Sequence, residues 1–262
     1  MKFRLTLKEK QILIFLIILG MILFPAFYFN SNLIVQKKID AKVMTWNISG
    51  ANGMDNNEST LETIIEEIED ADPDIIGFQE VTTDIDIKDL ADKLDMNYYF
   101  AESGDTNEGN LLLTKYPIIH AEAIELPLID GTRPRVLIKA EIEIKDLIFY
   151  IFITHLSRYD KPIDHWNQAS FLASIISQTS LYNIILMGDL NFAPLSLAYG
   201  ELKIKLRDTY QYLNNDKGYT FRSNDLFKRI DYIFCTFDLE PINSEILCSD
   251  ASDHCAVITT FK

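Results

Sequence analysis

The chain has 262 residues, of which 48% are hydrophobic, so it can bury a sizeable core as one large domain or as two small ones. That composition excludes a disordered or fibrous protein. The formal net charge of −15, from 39 acidic and 24 basic residues, repels nucleic acid backbones, and no run of lysine and arginine forms a local basic patch.

The three cysteines, Cys235, Cys248 and Cys255, do not have the spacing of a metal site. Their odd number cannot form a complete set of disulfides. We therefore expect them to pack as small apolar residues.

An uncharged and almost entirely apolar run covers residues 12–29 and follows several basic residues. Its length is close to that of a helix that spans a bilayer. A cleavable signal peptide normally has a shorter apolar core and a small-x-small site after it, whereas this run ends in aromatic residues. A buried core helix that is apolar all round is rare at a chain end. The sequence thus predicts a basic segment over residues 1–11, a transmembrane anchor over 12–29, a linker over 30–40 and a domain over 41–262.

The orientation of this anchor depends on the basic residues that flank it. Four of them precede the run and three follow it soon after, so the two sides are nearly balanced. We predict a single-pass membrane protein with its N-terminus in the cytoplasm and its domain outside. Whether the anchor is later cleaved stays open.

Beyond the linker, apolar patterns predict alternating strands and helices. The predicted strands cover residues 41–46, 74–78, 98–100, 111–114, 118–126, 136–144, 147–154, 184–187, 229–235 and 256–261. The predicted helices lie between Thr60 and Pro73 and over residues 85–94, 164–177 and 196–206. Strands mixed with helices along the whole domain indicate an α/β sandwich of two sheets.

Polar residues follow or begin several of these strands, namely Asn47, Glu80, His155, Asp189, Asn191, Asp231, Asp253 and His254. Each alone is more typical of a turn or of a packed side chain. As a set they suit catalysis, because carboxylate and amide oxygens bind Mg²⁺ or Mn²⁺, and a histidine beside an aspartate is an oriented base. The absence of grouped His and Cys argues against a structural zinc site. Together these residues predict metal-assisted attack of water on phosphorus.

Ordered motifs over residues 43–261 resemble those of the endonuclease/exonuclease/phosphatase superfamily, which has the fold of DNase I. The motifs are Met44-Thr45-Trp46-Asn47, Ile76-Gly77-Phe78-Gln79-Glu80-Val81, the run from Gly109 to Ile118, Thr154-His155-Leu156, Gly188-Asp189-Leu190-Asn191, the run from Arg229 to Phe234, and Ser252-Asp253-His254. The resemblance implies a four-layer αββα sandwich of two mixed sheets flanked by helices.

The resemblance also implies roles for individual residues. Glu80 would be the main Mg²⁺ ligand, assisted by Asn47 and Asp253. His254 would be the catalytic histidine, held by Asp231. The remaining three would act on the substrate: Asp189 and Asn191 would orient the water and stabilise the transition state, and His155 would contact the scissile phosphate.

Some positions depart from the family pattern. Ser49 stands where DNA-repair members carry an acidic residue or an asparagine, and His165 precedes Gln168 where many members carry an arginine. Arg133 and Arg135 are candidates for phosphate contact, of which we select Arg135 as substrate-binding, with a surface ion pair as the alternative. An abasic-DNA specificity does not transfer to this chain.

The leading functional hypothesis is a membrane-tethered, Mg²⁺-dependent phosphodiesterase or phosphatase that acts on a lipid headgroup or a small phosphoester. A Mg²⁺-dependent nuclease at the cell surface is the alternative. An inactive binding module on the same fold is a minor one. A structural membrane protein would leave the ordered motifs unexplained. The leaving group, the physiological metal and the oligomeric state remain open.

Overall fold

Two six-stranded sheets provide the framework of the protein. The computed structural model describes residues 8, 39–51, 60–128, 133–158, 162–223 and 226–262. The predicted transmembrane anchor, residues 12–29, lies outside these ranges. None of the helices within the described ranges is long and apolar enough to cross a bilayer.

Ten of the fourteen strands in the described residues lie close to the positions that the apolar patterns predict. The strands are β1 (Ala41–Asn47), β2 (Ile75–Thr82), β3 (Asn97–Glu102), β4 (Glu108–Thr114), β5 (Ile118–Glu125), β6 (Val136–Ile144), β7 (Leu147–His155), β8 (Ile184–Asp189), β9 (Arg207–Asp208), β10 (Phe221–Ser223), β11 (Leu226–Lys228), β12 (Asp231–Cys235), β13 (Pro241–Leu247) and β14 (Ala256–Phe261). Of these, β9, β10, β11 and β13 were not predicted. The helices are α1 (Thr60–Ala71), α2 (Ile87–Lys93), α3 (Pro162–Thr179), α4 (Leu197–Lys203) and α5 (Thr209–Leu213).

The first sheet has the strand order β13-β14-β1-β2-β4-β3, and the second has the order β5-β6-β7-β8-β12-β9. Strands β1 and β2 are parallel, as are β7 and β8, and the other neighbours in both sheets are antiparallel. Both sheets are therefore mixed, and the prediction of two mixed sheets in an α/β fold is confirmed.

Successive side chains of a strand point to opposite faces of the sheet, and in this protein they form three layers of hydrophobic core. Val43 in β1 faces the second sheet, whereas Met44 and Trp46 pack against α1 and α2. In β8, Ile185 and Ile184 likewise point in opposite directions, one to the central core and the other to α3 and α4. Because both faces of each central strand are covered, these strands carry apolar residues on both faces.

The sheets approach closely at Gly77 in β2. A Cβ atom at this position would lie 2.8 Å from the sulfur of Met187 in β8. Only a glycine allows this separation without displacing the facing side chain, so Gly77 brings the ends of β2 and β8 together.

The expectation for the cysteines is wrong at two of the three positions. Cys248 and Cys255 form a disulfide, whereas Cys235 is free and buried as expected. The pair lies directly beyond the last residues that β13 and β14 pair, Leu247 and Ala256. Neighbouring antiparallel strands bring the two sulfurs together, and cysteine spacing alone does not reveal such a pairing.

Candidate active site

The sheet topology gathers the polar strand ends at one edge of the sandwich. In the second sheet, His155 at the end of β7 pairs in register with Asp189 at the end of β8. Asp189 also pairs with Asp231, the first residue of the antiparallel strand β12. These three side chains consequently stand in a row across three adjacent strands.

The first sheet adds Asn47 and Glu80. Strand β2 carries a bulge between Phe78 and Val81, and within it Glu80 has a positive φ of 55°. A bulge turns a side chain away from the strand's regular alternation. A positive φ is uncommon for a residue other than glycine. Here it occurs within the bulge, at the point where the Glu80 side chain is partly exposed in the cavity.

Asn47 connects the two sheets. Its Nδ2 donates to Glu80 Oε1 at 3.0 Å and to Asp189 Oδ2 at 3.1 Å. Its Oδ1 accepts the backbone N–H of Ser49 at 3.0 Å. In this arrangement Asn47 donates to both carboxylates through Nδ2. Its Oδ1 has a second lone pair besides the one that accepts from Ser49, so the contacts are compatible with its predicted role as a metal ligand.

His254 lies before β14 and faces Asp231 across the gap between the sheets. Its Nδ1 is 3.0 Å and 3.2 Å from the two carboxylate oxygens of Asp231. The other ring nitrogen, Nε2, lies 3.8 Å from Asp189 Oδ2. Asp231 thus fixes the orientation of the imidazole and directs its free nitrogen towards Asp189.

The charges at this site depend on one another. Burial lowers the pKa of His254, but the carboxylates of Asp231, Asp189 and Asp253 outweigh it and raise that pKa above its usual value. Burial and the facing Asp231 raise the pKa of Asp189. At neutral pH the metal-free site therefore holds a protonated His254, and Asp189 binds a proton more readily than an ordinary carboxylate does.

His155 is held by Asn191. Asn191 Nδ2 donates to the carbonyl oxygen of Leu156 at 3.1 Å and lies 2.9 Å from His155 Nε2. Burial, followed by the charge of Arg135, lowers the pKa of His155 well below its usual value, so the ring is neutral and can accept at Nε2. Both amide hydrogens of Asn191 are engaged in this way, and its predicted donation to a phosphoryl oxygen would require one of these bonds to be exchanged.

Glu80, His155, Asp189, Asn191 and His254 line a cavity of about 530 Å³, together with basic side chains that contrast with the acidity of the whole chain. The basic residues are Arg133, Arg135, Arg158 and Lys228. Arg135 is 7% exposed, and its Nε has no hydrogen-bond partner among the described residues. Since a guanidinium stays protonated at neutral pH, Arg135 is a buried cation facing the cavity.

The position of Arg135 is fixed by its backbone neighbours. Its carbonyl oxygen accepts the N–H of Leu126 at 2.9 Å, and Asn110 Nδ2 donates to the carbonyl oxygen of Val136 at 2.8 Å. Arg133, by contrast, is exposed and pairs with Glu108 at 3.0 Å, so the ion-pair alternative applies to Arg133.

Several site residues were not identified from the sequence. Thr220 Oγ1 accepts the backbone N–H groups of Ile230 and Asp231, both at 3.1 Å, and so anchors the start of β12. The ring of Phe221 lies 4.8 Å from the ring of His254. These contacts join a short hairpin to the site, and no local pattern marks their residues. Arg158 and Lys228 were likewise missed, although both are basic residues near recognised motifs.

The donor set suits a hard divalent cation. Glu80 is partly exposed in the cavity, and Asp253 also lines it with a buried carboxylate oxygen, Oδ1, that has no partner among the described residues. Asp189, Asp231 and His254 also offer atoms within 4.8 Å of one another. Asp231 and His254 bond to each other, whereas Glu80 and Asp253 line the cavity and offer carboxylate oxygens of the kind that a divalent cation prefers.

Paired carboxylates, an oriented histidine and a cationic cavity at the edge of a two-sheet sandwich define the site of a phosphoester-processing protein. The Endonuclease/Exonuclease/phosphatase family model matches residues 44–254, and the chain belongs to this family. This finding confirms the resemblance at the level of the superfamily. No match was found among the curated proteins.

Solved structures of low sequence identity share the fold. A Bacteroides vulgatus protein of the same family is 21% identical, with a TM-score of 0.76 over 86% of this chain and 99% of that one. The mannosyl-6-phosphatase of Bacteroides thetaiotaomicron is 20% identical, with a TM-score of 0.72 over 85% and 99%. The human Nocturnin catalytic domain with bound sulfate is 23% identical, with a TM-score of 0.73 over 86% and 97%.

Proposed function

We propose that this protein is a Mg²⁺-dependent phosphoesterase that hydrolyses a small phosphoester, either free or as a lipid headgroup. The observation that carries the proposal is the row of His155, Asp189 and Asp231, completed by His254 from the facing sheet. Family membership supports the reaction class, because endonucleases, exonucleases and phosphatases all cleave phosphoesters.

In the hydrolysis, water forms a bond to phosphorus, the bond to the leaving oxygen breaks, and the released oxygen takes up a proton from solvent. The chain's own residues account for the proton that the attacking water loses. Asp189 accepts the proton of the attacking water, and the raised pKa of its carboxyl makes it a better base than an ordinary carboxylate. His254, protonated and held by Asp231, carries its Nε2 hydrogen beside Asp189, where it can donate to a phosphoryl oxygen of the substrate and stabilise its charge. His155 and Asn191 fix each other on the opposite side of Asp189, whose Oδ1 accepts the backbone N–H of Asn191 at 2.9 Å.

Glu80 and Asp253 are the residues that would hold Mg²⁺, with Mn²⁺ suiting the same oxygen ligands. The bound ion supplies neutralisation of charge on the phosphoryl group. Asn47 would assist Glu80 and Asp253 through its Oδ1, while its Nδ2 donates to Glu80 and to Asp189 and so keeps both carboxylates in place.

The cavity supports a small anionic substrate. Its volume of about 530 Å³ is in the range of sites for small molecules. Arg135 provides a buried cation for a phosphoryl oxygen, and Lys228 and Arg158 add positive charge at the cavity wall. The net charge of −15 opposes the approach of a long polyanion such as duplex DNA.

The membrane anchor over residues 12–29 and the extracytoplasmic position of the domain remain part of the proposal. The Cys248–Cys255 disulfide supports an oxidising compartment, because disulfides are rare in proteins that stay in the reducing cytosol. A domain tethered at an outer membrane surface would meet lipid headgroups as well as soluble phosphoesters.

The test uses the purified full chain in detergent, with sugar phosphates, glycerophosphodiesters, phospholipid and sphingomyelin vesicles, and plasmid DNA. We expect hydrolysis of a small or lipid phosphoester with Mg²⁺, loss of activity with EDTA, and almost none with His254→Ala. Nicking of DNA without turnover of the other substrates would replace this proposal with the nuclease alternative. Turnover that persists undiminished in His254→Ala and Glu80→Ala would refute the assignment of the site.

A further inference from the structure

The residues between β13 and β14, Cys248 to Cys255, form a connection that we term the histidine loop because it carries His254. The Cys248–Cys255 disulfide closes this loop at its base. Cys255 directly follows His254 and is fully buried, whereas Cys248 is exposed. The disulfide therefore joins the two ends of the loop, the buried end that carries His254 and the exposed end at Cys248, which we term the outer end.

Hydrogen bonds hold the catalytic end of the histidine loop to the first sheet. Trp46 Nε1 donates to the carbonyl oxygen of His254 at 3.0 Å. Ser252 Oγ donates to the carbonyl oxygen of Asn47 at 2.7 Å and accepts the N–H of His254 at 3.1 Å. These bonds fix the backbone of His254 relative to Asn47, the residue that also contacts Glu80 and Asp189.

The outer end of the loop has weaker support. The carbonyl oxygen of Ser249 accepts from Arg222 Nη2 at 2.8 Å, and its hydroxyl accepts from Ala251 N at 3.3 Å, within the loop itself. The last backbone pair of the adjoining strands is Leu247 with Ala256. The disulfide is thus the covalent connection that prevents the outer half of the loop from separating from β14.

We propose that the Cys248–Cys255 disulfide is a positioning element that keeps His254 aligned with Asp231, so that turnover is high in the oxidised protein and lower after reduction. This inference rests on the catalytic role that the proposed function gives to His254. Opening the disulfide frees the outer half of the loop and broadens the positions that the imidazole samples. A misplacement of about 1 Å can cost about 100-fold in rate, and the remaining hydrogen bonds limit the expected loss to about tenfold.

Reduction is a thiol–disulfide exchange with a dithiol such as dithiothreitol. A thiolate of the reagent attacks the sulfur of the exposed Cys248, the protein S–S bond breaks, and Cys255 leaves as a thiolate that takes up a proton. The second thiol of the reagent then displaces Cys248, so that the protein gains two thiols and the reagent becomes a cyclic disulfide. Cys235 takes no part, because it is buried and burial raises the pKa of its thiol to about 12.

A purely structural disulfide predicts a different result. In that case reduction lowers the unfolding midpoint, but kcat stays constant at temperatures where the protein remains folded. The positioning role predicts a lower kcat under the same conditions, with KM nearly unchanged, because the other cavity residues keep their places. A change in kcat while the protein stays folded therefore separates the positioning role from the purely structural role.

The experiment measures kcat, KM and the unfolding midpoint of the full chain before and after dithiothreitol, with thiols counted in denaturant. The Cys248→Ser variant should reproduce the reduced state and no longer respond to the reagent, and Cys235→Ala is the matched control that still responds. We expect kcat to fall about tenfold and to recover on reoxidation. An unchanged kcat with all thiols reduced would overturn the proposal, as would global unfolding on reduction.

Amide hydrogen exchange provides a readout that does not depend on activity. Exchange at Ser249 to His254 should rise on reduction while the strands stay protected. Faster exchange in a protein that hydrolyses no phosphoester would retain the positioning role and refute the proposed function. Unchanged exchange would refute the positioning role whatever the activity.

Discussion

Replacing Asp231 with asparagine removes the charge that orients His254 and keeps it protonated. Both carboxylate oxygens lie within 3.2 Å of Nδ1, so an asparagine can retain one contact but cannot balance an imidazolium. Losses of this type are about 10² to 10⁴ in kcat, equivalent to about 3 to 5 kcal/mol of transition-state stabilisation. Steady-state kinetics with saturating Mg²⁺ should show this loss with little change in KM, because Asp231 does not line the cavity.

Asp238→Asn is the matched control for this substitution. Asp238 is also buried, but it lies at the opposite end of the second sheet, where its carboxylate accepts the backbone N–H of Asn183 at 3.1 Å. This variant should lose stability and keep kcat. A kcat for Asp231→Asn within about threefold of the wild-type value would refute the reasoning about His254, because loss of a general acid–base contribution lowers kcat by about 10² or more.

Three further predictions address the metal, the substrate and pH. Glu80→Gln should raise the Mg²⁺ concentration needed for half-maximal activity by about tenfold or more, whereas Glu108→Gln in the same cavity should not, as a metal titration of activity would show. Arg135→Gln should raise KM by about tenfold or more through loss of a charge-assisted hydrogen bond, and an unchanged KM would contradict its contact with substrate. In EDTA, the raised pKa of His254 contributes stability that is fully present below its ordinary value of 6.5 and is lost as the pH rises towards about 10, so denaturant unfolding should show falling stability between pH 7 and 10, with a smaller fall in His254→Ala.

The strands of the central core could be predicted because their patterns are unambiguous. Residues 136–144 and 256–261 match β6 and β14 at both ends, because β6 alternates apolar with charged residues after Leu137 and β14 is a mostly buried run. The helix α1 likewise begins at Thr60 and ends before Pro73, as the spacing of its isoleucines indicates. The local pattern of residues predicts a strand or a helix where its buried positions recur at regular intervals along the sequence.

The edges of the sheets could not be predicted in this way. Strand β13 begins with a proline, exposes Ile242, Asn243 and Glu245, and pairs with β14 alone, so its sequence lacks the regular pattern that indicates a strand. The hairpin of β10 and β11 and the short helix α5 were missed for the same reason. Strand β2 continues past Phe78 through a bulge, which the sequence of Gln79 and Glu80 does not mark.

In the candidate site, the sequence predicted the residue types but not the contacts between them. The motifs located Glu80, Asp189, Asp231 and His254, because the chemistry of the reaction constrains these residue types. They did not reveal that Asn47 bridges both carboxylates as a donor or that the disulfide closes the histidine loop. Those properties arise from contacts between distant segments, which a linear pattern does not encode.

Hydrolysis in ¹⁸O-labelled water tests the central claim most directly, namely that Asp189 and His254 direct water onto phosphorus. With a phosphoester that the protein cleaves, one labelled oxygen should appear in the phosphoryl product and none in the released alcohol, and His254→Ala should abolish this incorporation. Label in the alcohol, or unchanged incorporation in the His254→Ala variant, would contradict the account.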